Sequence, residues 1–151
     1  IPLLARAIKD SMCQLDQKNC NFYTSNLEDF LKMWNQKLKE WDEGFSKLRG
    51  LKVVQYHKTY NYLLKRYHIE EGGTLEPLPG IPPTPRHLDQ LIKASKDVKL
   101  VIYEVFRDPK PAKRMADSIG AKAMLLPHDV GVEKVKSLFD LFDEILRRLS
   151  R

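Results

Sequence analysis

Imidazole and carboxylate side chains stand at four places where short apolar runs end: Tyr56-His57, Glu76-Pro77, Tyr103-Glu104 and Pro127-His128-Asp129. Nitrogen and oxygen donors without a thiolate among them suit a borderline or hard divalent cation, such as zinc or manganese. Taken singly, each residue has a plainer reading: His57 as a hydrogen-bonded core histidine, the acids as helix caps. Glu76 and Glu104 could also serve a small hydrolase as an acid–base pair. No nucleophile accompanies them, and Gly-x-Ser-x-Gly, glycine-rich phosphate-loop and His-Glu-x-x-His patterns are missing. The chain is therefore expected not to be an enzyme.

The elements that carry these residues follow from hydrophobic spacing and caps. Residues 51–56 read as a strand and 58–67 as a helix, and 74–76 as a short strand that leads into a proline-rich loop; Gly72-Gly73 reads as a plain turn. Thr84 caps a helix with Pro85 at its first position that runs to about residue 96. Residues 100–104 form a buried strand. Asp108 and Pro109 open the next helix, which Gly120 stops; 121–126 form a fourth strand and 132–149 a closing helix. Four strands, each followed by a helix, predict an α/β fold with a four-stranded parallel sheet covered by helices on both faces. Open parallel sheets bind ligands beyond the carboxyl ends of their strands. All four donor groups are thereby expected on one edge.

Residues 1–50 read as a helical segment and 51–151 as one compact α/β lobe. Residues 3–15 have the spacing of an amphipathic helix. A capping box, Ser25 with Glu28, then opens a long helix in which Leu27, Phe30, Leu31, Trp34, Leu38, Trp41, Phe45 and Leu48 recur at steps of three and four up to Gly50. Such a helix has about 24 residues and a length of roughly 36 Å. Cys13 and Cys20 bracket the turn between the two helices, at a spacing foreign to zinc ligation. They form either a disulfide, fitting an oxidising compartment, or two separate thiols.

A chain of 151 residues is long enough to bury a core of its own. Its net charge of +6 and pI of 9.3 invite a nucleic-acid reading, but 8 basic and 7 acidic residues are interleaved in the first fifty, and 18 and 13 in the rest. No basic stretch carries the interleaved aromatics of a single-strand binder. The charge reads as solvated helix surface, and no nucleic-acid partner is expected. No apolar run approaches the ~20 residues of a membrane-spanning helix. The opening Ile1-Pro2-Leu3-Leu4 has no initiating Met or signal core, which suggests a processed product or an excised piece.

Five of the nine prolines fall within residues 77–85 and stiffen the loop between the second strand end and the next helix. The segment Glu76-Pro77-Leu78-Pro79-Gly80-Ile81-Pro82-Pro83-Thr84-Pro85-Arg86-His87-Leu88 resembles the signature loop of zinc and manganese receptors of ABC importers. Val53-Val54-Gln55-Tyr56-His57-Lys58 is similar to the strand that ends in a metal-binding histidine in that family, and Tyr103-Glu104 to its third-strand glutamate. Residues 16–26 and Gly120-Ala121-Lys122 extend the likeness over nearly the whole chain.

The resemblance implies a carboxyl-terminal lobe, with residues 25–49 as the rigid helix that joins two lobes or as its continuation. It implies an extracytoplasmic or periplasmic receptor, associated with the outer side of the cytoplasmic membrane. The receptor would capture zinc, or next manganese, and pass it to an ABC permease. His57 and Asp129 match the two ligands of this lobe, with Glu76, Glu104 and His128 around them as orienting groups. Residue 128 is a small hydroxyl residue in most of the family. The other two ligands belong to an amino-terminal lobe that this chain does not include, so the chain would hold half a site. An adhesin or interaction module of the same fold is the alternative.

Overall fold

The computed structural model describes residues 1–151. The chain divides into two compact units, residues Ile1–Glu40 and Trp41–Arg151. This division falls inside a helix, ten residues before the expected boundary at 50. Trp41 and Phe45 are the reason: both are buried, with Trp41 against Phe142 at 4.8 Å and Phe45 stacked on Tyr67 at 4.6 Å.

The first unit holds α1 (Pro2–Leu15), a 3-10 turn (Gln17–Asn19) and most of α2 (Cys20–Ser46). Cys13 and Cys20 are joined in a disulfide with Cα atoms 4.6 Å apart. Asp16, in the same turn, accepts hydrogen bonds from Asn19 Nδ2 and Tyr23 Oη, both at 2.8 Å. Those two bonds, Asn19 first, lower its pKa. The apolar stripe of α1 is exposed, with none of its residues buried. The α2 helix begins five residues before the expected cap, so Ser25 lies inside it. Thr24 bonds back to Cys20 O at 2.9 Å, which continues the helical turn through the positions expected to be loop.

The second unit is the expected α/β layer. Its strands are β1 (Lys52–Gln55), β2 (Glu70–Thr74), β3 (Leu100–Tyr103) and β4 (Lys122–Leu125), all parallel, in the order β2-β1-β3-β4. Between them lie α3 (Asn61–Tyr67), α4 (Pro85–Ala94) and α5 (Pro109–Ile119), and α6 (Leu138–Leu149) closes the chain. Alternation along each strand sends side chains to opposite faces. Val54, Val101 and Leu75 pack with Leu88 of α4 and Ala112, Met115 and Ala116 of α5 in one core cluster. Val53 and Ile102, also fully buried, occupy the other face.

Several boundaries differ from expectation: α2 ends at Ser46 rather than near Gly50, and residues Lys58–Tyr60 form a 3-10 turn ahead of α3. The strand expected at 74–76 is centred on Glu70–Thr74, so Gly72-Gly73 is strand rather than turn. At Gly72 a Cβ would meet Val98 at 3.0 Å and the Val53 carbonyl at 3.3 Å, so the close approach of neighbours selects glycine. The backbone ladder runs on beyond it, with Leu75 N bonded to Gln55 O and Glu76 N to Tyr56 O. The closing helix starts at Leu138, not 132, because Ser137 is its cap: its hydroxyl accepts from Asp140 N at 3.1 Å. By contrast, α5 has the bounds that Asp108, Pro109 and Gly120 dictate, with Asp108 accepting from Lys110 N.

Candidate metal centre

The chain leaves β1 toward β2 on one side, then returns to β3 on the other, so the strand order reverses between β1 and β3. A crevice opens at such a switch point beyond the carboxyl ends of the two strands. His57 follows β1 there in extended backbone (φ −126°, ψ 162°), and Glu104 follows β3.

His57 and Glu76 meet directly: Nδ1 of the ring lies 2.6 Å from Oε2 of the carboxylate. The position of Glu76 comes from the ladder bond of its amide to Tyr56 O and from the loop after it, where Gly80 N approaches the same oxygen at 3.4 Å. The proline loop is anchored at its far end as well. Thr84 caps α4 by accepting from His87 N, and His87 Nε2 lies 2.9 Å from Thr74 O. With His57, Lys58, Thr74, Pro77, Leu78 and Pro79, Glu76 lines a cleft of 190 Å³. A larger cleft of 600 Å³ runs along α6 and has no histidine on its walls.

Glu104 is fully buried and accepts from Thr59 Oγ1 at 2.5 Å. Between the two glutamates stands Arg107, with Nη1 2.6 Å from Glu76 Oε1 and Nε 3.9 Å from Glu104 Oε2. Its guanidinium also lies over the Tyr56 ring at 5.2 Å and the Phe106 ring at 5.0 Å. Burial raises the Tyr56 pKa, against the opposing pull of the Arg107 charge. Burial likewise raises that of Tyr60, whose hydroxyl donates to Leu126 O at 3.0 Å and ties the end of β4 to this edge.

Of the residues singled out in the sequence, the structure thus joins His57, Glu76 and Glu104 in one network through Arg107 and Thr59. His128 and Asp129 lie after β4 and bond to none of the three. Asp129 is exposed and accepts from its neighbour's amide, Val130 N, at 2.7 Å. His128 packs edge-on against Phe106 at 4.7 Å, and its buried Nδ1 has no hydrogen-bond partner. Arg107 and Thr59 were not foreseen. A lone arginine after a strand and a threonine in a helix start carry no spacing signal of their own.

Nowhere in the chain do three or more His, Cys, Asp or Glu side chains converge as a metal-holding group. The donor chemistry at the edge fits a divalent cation, an imidazole paired with a carboxylate, but the four protein donors of a closed zinc site are not assembled in this chain.

Residues 2–151 match the model of the family described as "Zinc-uptake complex component A periplasmic", ZnuA. Among solved structures, one described as ZnuA is 23% identical, with a TM-score of 0.75, covering 94% of this chain and 52% of its own. The laminin-binding protein Lmb of Streptococcus agalactiae, described as bifunctional with adhesin and metal transporting activity, is 26% identical (TM-score 0.72) over 94% of this chain and 58% of its own. A cadmium-bound periplasmic metal-binding protein from Candidatus Liberibacter asiaticus is 17% identical with a TM-score of 0.78; the match covers 98% of this chain and 58% of that one, and shows the shared fold. The chain spans a little over half the length of these proteins. No curated protein matches it by sequence.

Proposed function

The chain belongs to the ZnuA family of periplasmic zinc-uptake components, and from that premise we propose that it is the carboxyl-terminal lobe of an extracytoplasmic receptor that hands a divalent metal to an ABC permease. Zinc is the first candidate cargo and manganese the second. The observation that carries this reading is the 2.6 Å approach of His57 Nδ1 to Glu76 Oε2 at the switch point of the sheet. A carboxylate on Nδ1 sets the tautomer and orientation of the ring and raises the basicity of Nε2, the nitrogen left for a metal. Asp129 is the second ligand of this half-site. Its carboxylate is exposed and held only by a local amide bond, so it can turn toward a cation at little cost. The remaining donors come from the other lobe of the receptor.

The disulfide fits this reading, since such bonds persist in the periplasm and on cell surfaces and are rare in the cytosol. No helix of the chain is long and apolar enough to cross a membrane; the permease is the membrane partner in this account. The hydrolase alternative loses its chemistry, because Glu104 is fully buried and Arg107 lies against both glutamates. An adhesin role is the second reading, favoured by the likeness to Lmb.

Titration calorimetry with zinc and with manganese tests the proposal on the chain and on His57→Ala and Asp129→Ala. Each substitution should weaken binding of the cargo metal. Equal heats and affinities in the chain and both variants would rule the half-site out. A chain without any metal response would leave the adhesin reading in its place.

A further inference from the structure

Two carboxylates are buried at this edge, Glu76 and Glu104, with side chains 3% and 0% exposed. Buried charges persist when paired and hydrogen-bonded, and are costly otherwise. Arg107 is the cation that faces both. Its guanidinium reaches Glu76 through Nη1, while Nε lies 3.9 Å from Glu104 Oε2 without a hydrogen bond between them. The Tyr56 and Phe106 rings, at 5.2 and 5.0 Å, hold the guanidinium in place. From it a continuous chain of contacts leads to the metal edge: Arg107 Nη1 to Glu76 Oε1 at 2.6 Å, then Glu76 Oε2 to His57 Nδ1 at 2.6 Å.

We propose that Arg107 is a positioning residue for His57: by holding one oxygen of Glu76 it fixes the other against Nδ1, so that the ring offers Nε2 to the cation. The inference rests on the reading of His57 as a ligand. It adds to that reading a residue from a third strand end whose role is exerted through Glu76. Without the guanidinium, the Glu76 carboxylate loses its Arg107 partner on Oε1, and the 3.4 Å approach of Gly80 N to Oε2 is a weak restraint on its rotation away from the ring. The two imidazole tautomers then become comparable, and a metal finds Nε2 presented only part of the time.

The test reads the tautomer directly. Long-range ¹H–¹⁵N correlation spectra of the metal-free chain, at a pH of about 8 where an ordinary imidazole is neutral, should show His57 protonated on Nδ1. In Arg107→Gln the His57 nitrogen shifts should move toward the average of two tautomers, and zinc affinity should fall about tenfold, the lower end of what loss of an orienting partner costs. Arg107→Lys, which keeps a cation beside Glu76, should retain the tautomer and most of the affinity. If Arg107→Gln does not fold, the double variant Arg107→Gln/Glu104→Gln removes one buried carboxylate together with the cation and carries the same two readouts. Unchanged His57 shifts in the folded glutamine variant would overturn the role of Arg107. Failure of the ligand reading has a separate signature: His57→Ala would bind zinc as well as the unaltered chain, whatever the tautomer in the Arg107 variants.

Discussion

His57 Nδ1 and Glu76 Oε2, nineteen residues apart in sequence, lie 2.6 Å from each other at the carboxyl edge of the sheet. The pairing exists because β1 and β2 are neighbours in a parallel sheet, so that consecutive strand ends fall side by side. In the proposed reading, this pairing leaves Nε2 as the nitrogen that meets the metal. Glu76→Gln should therefore weaken zinc binding by 10- to 100-fold and leave the fold intact, as read by calorimetry alongside circular dichroism. An amide can present its NH₂ to Nδ1 in place of an acceptor oxygen, and the tautomer preference is then lost.

Thr59 is the hydrogen-bond donor to the buried Glu104 carboxylate. Thr59→Val keeps the shape of the side chain and removes that bond. The buried acceptor is left unsatisfied, so stability should fall by about 2 kcal/mol, measured as a lower urea midpoint with an unchanged slope.

How far the sequence could be read depended on how local the determining interaction is. Asp108, Pro109 and Gly120 announce α5 because a cap, a first-turn proline and a left-handed stop act within one or two residues of themselves; Gly120 has φ +67°. Ser25 misled for the same reason in reverse. Its capping pattern is sound locally, but the disulfide at Cys20 and the back-bond of Thr24 place the helix start upstream. The strand character of Gly72-Gly73 lies in the close approach of Val53 and Val98, which is invisible along the chain. At the site, the strand-end rule located His57, Glu76 and Glu104 on one edge. The cation that ties them together was not legible, because Arg107 acquires its role only when three strand ends converge.

Gly73 is the most constrained glycine of the sheet. Its φ is +130°, and a Cβ would lie 2.6 Å from Leu91 Cδ1. Gly73→Ala should cost about 2 kcal/mol, through backbone strain and displacement of Leu91. Gly120→Ala, also at positive φ but with open space around it, should cost about 1 kcal/mol. Chemical denaturation of the two variants side by side separates steric from conformational cost.

Glu144 is the group through which acid should act. Hydrogen bonds from Arg147 first, and from Arg148, outweigh the opposing effect of burial and bring its carboxyl from the ordinary 4.5 to about 2. A pKa lower in the folded than in the unfolded state contributes stability that is present above 4.5 and is lost as pH falls through about 2. The pairs are partly solvent-screened, so the contribution is about 1 kcal/mol. Stability measured from pH 7 downward should decline across this window, and Glu144→Gln should flatten the decline while lowering stability at pH 7.

The central claim is that His57 coordinates the cargo metal through Nε2. X-ray absorption at the zinc K edge of the zinc-loaded chain reads this most directly. Imidazole scattering with a zinc–nitrogen distance of about 2.0 Å should be present, and His57→Ala should lose one imidazole from the shell. A zinc shell with the same imidazole count in the chain and in His57→Ala would contradict the account.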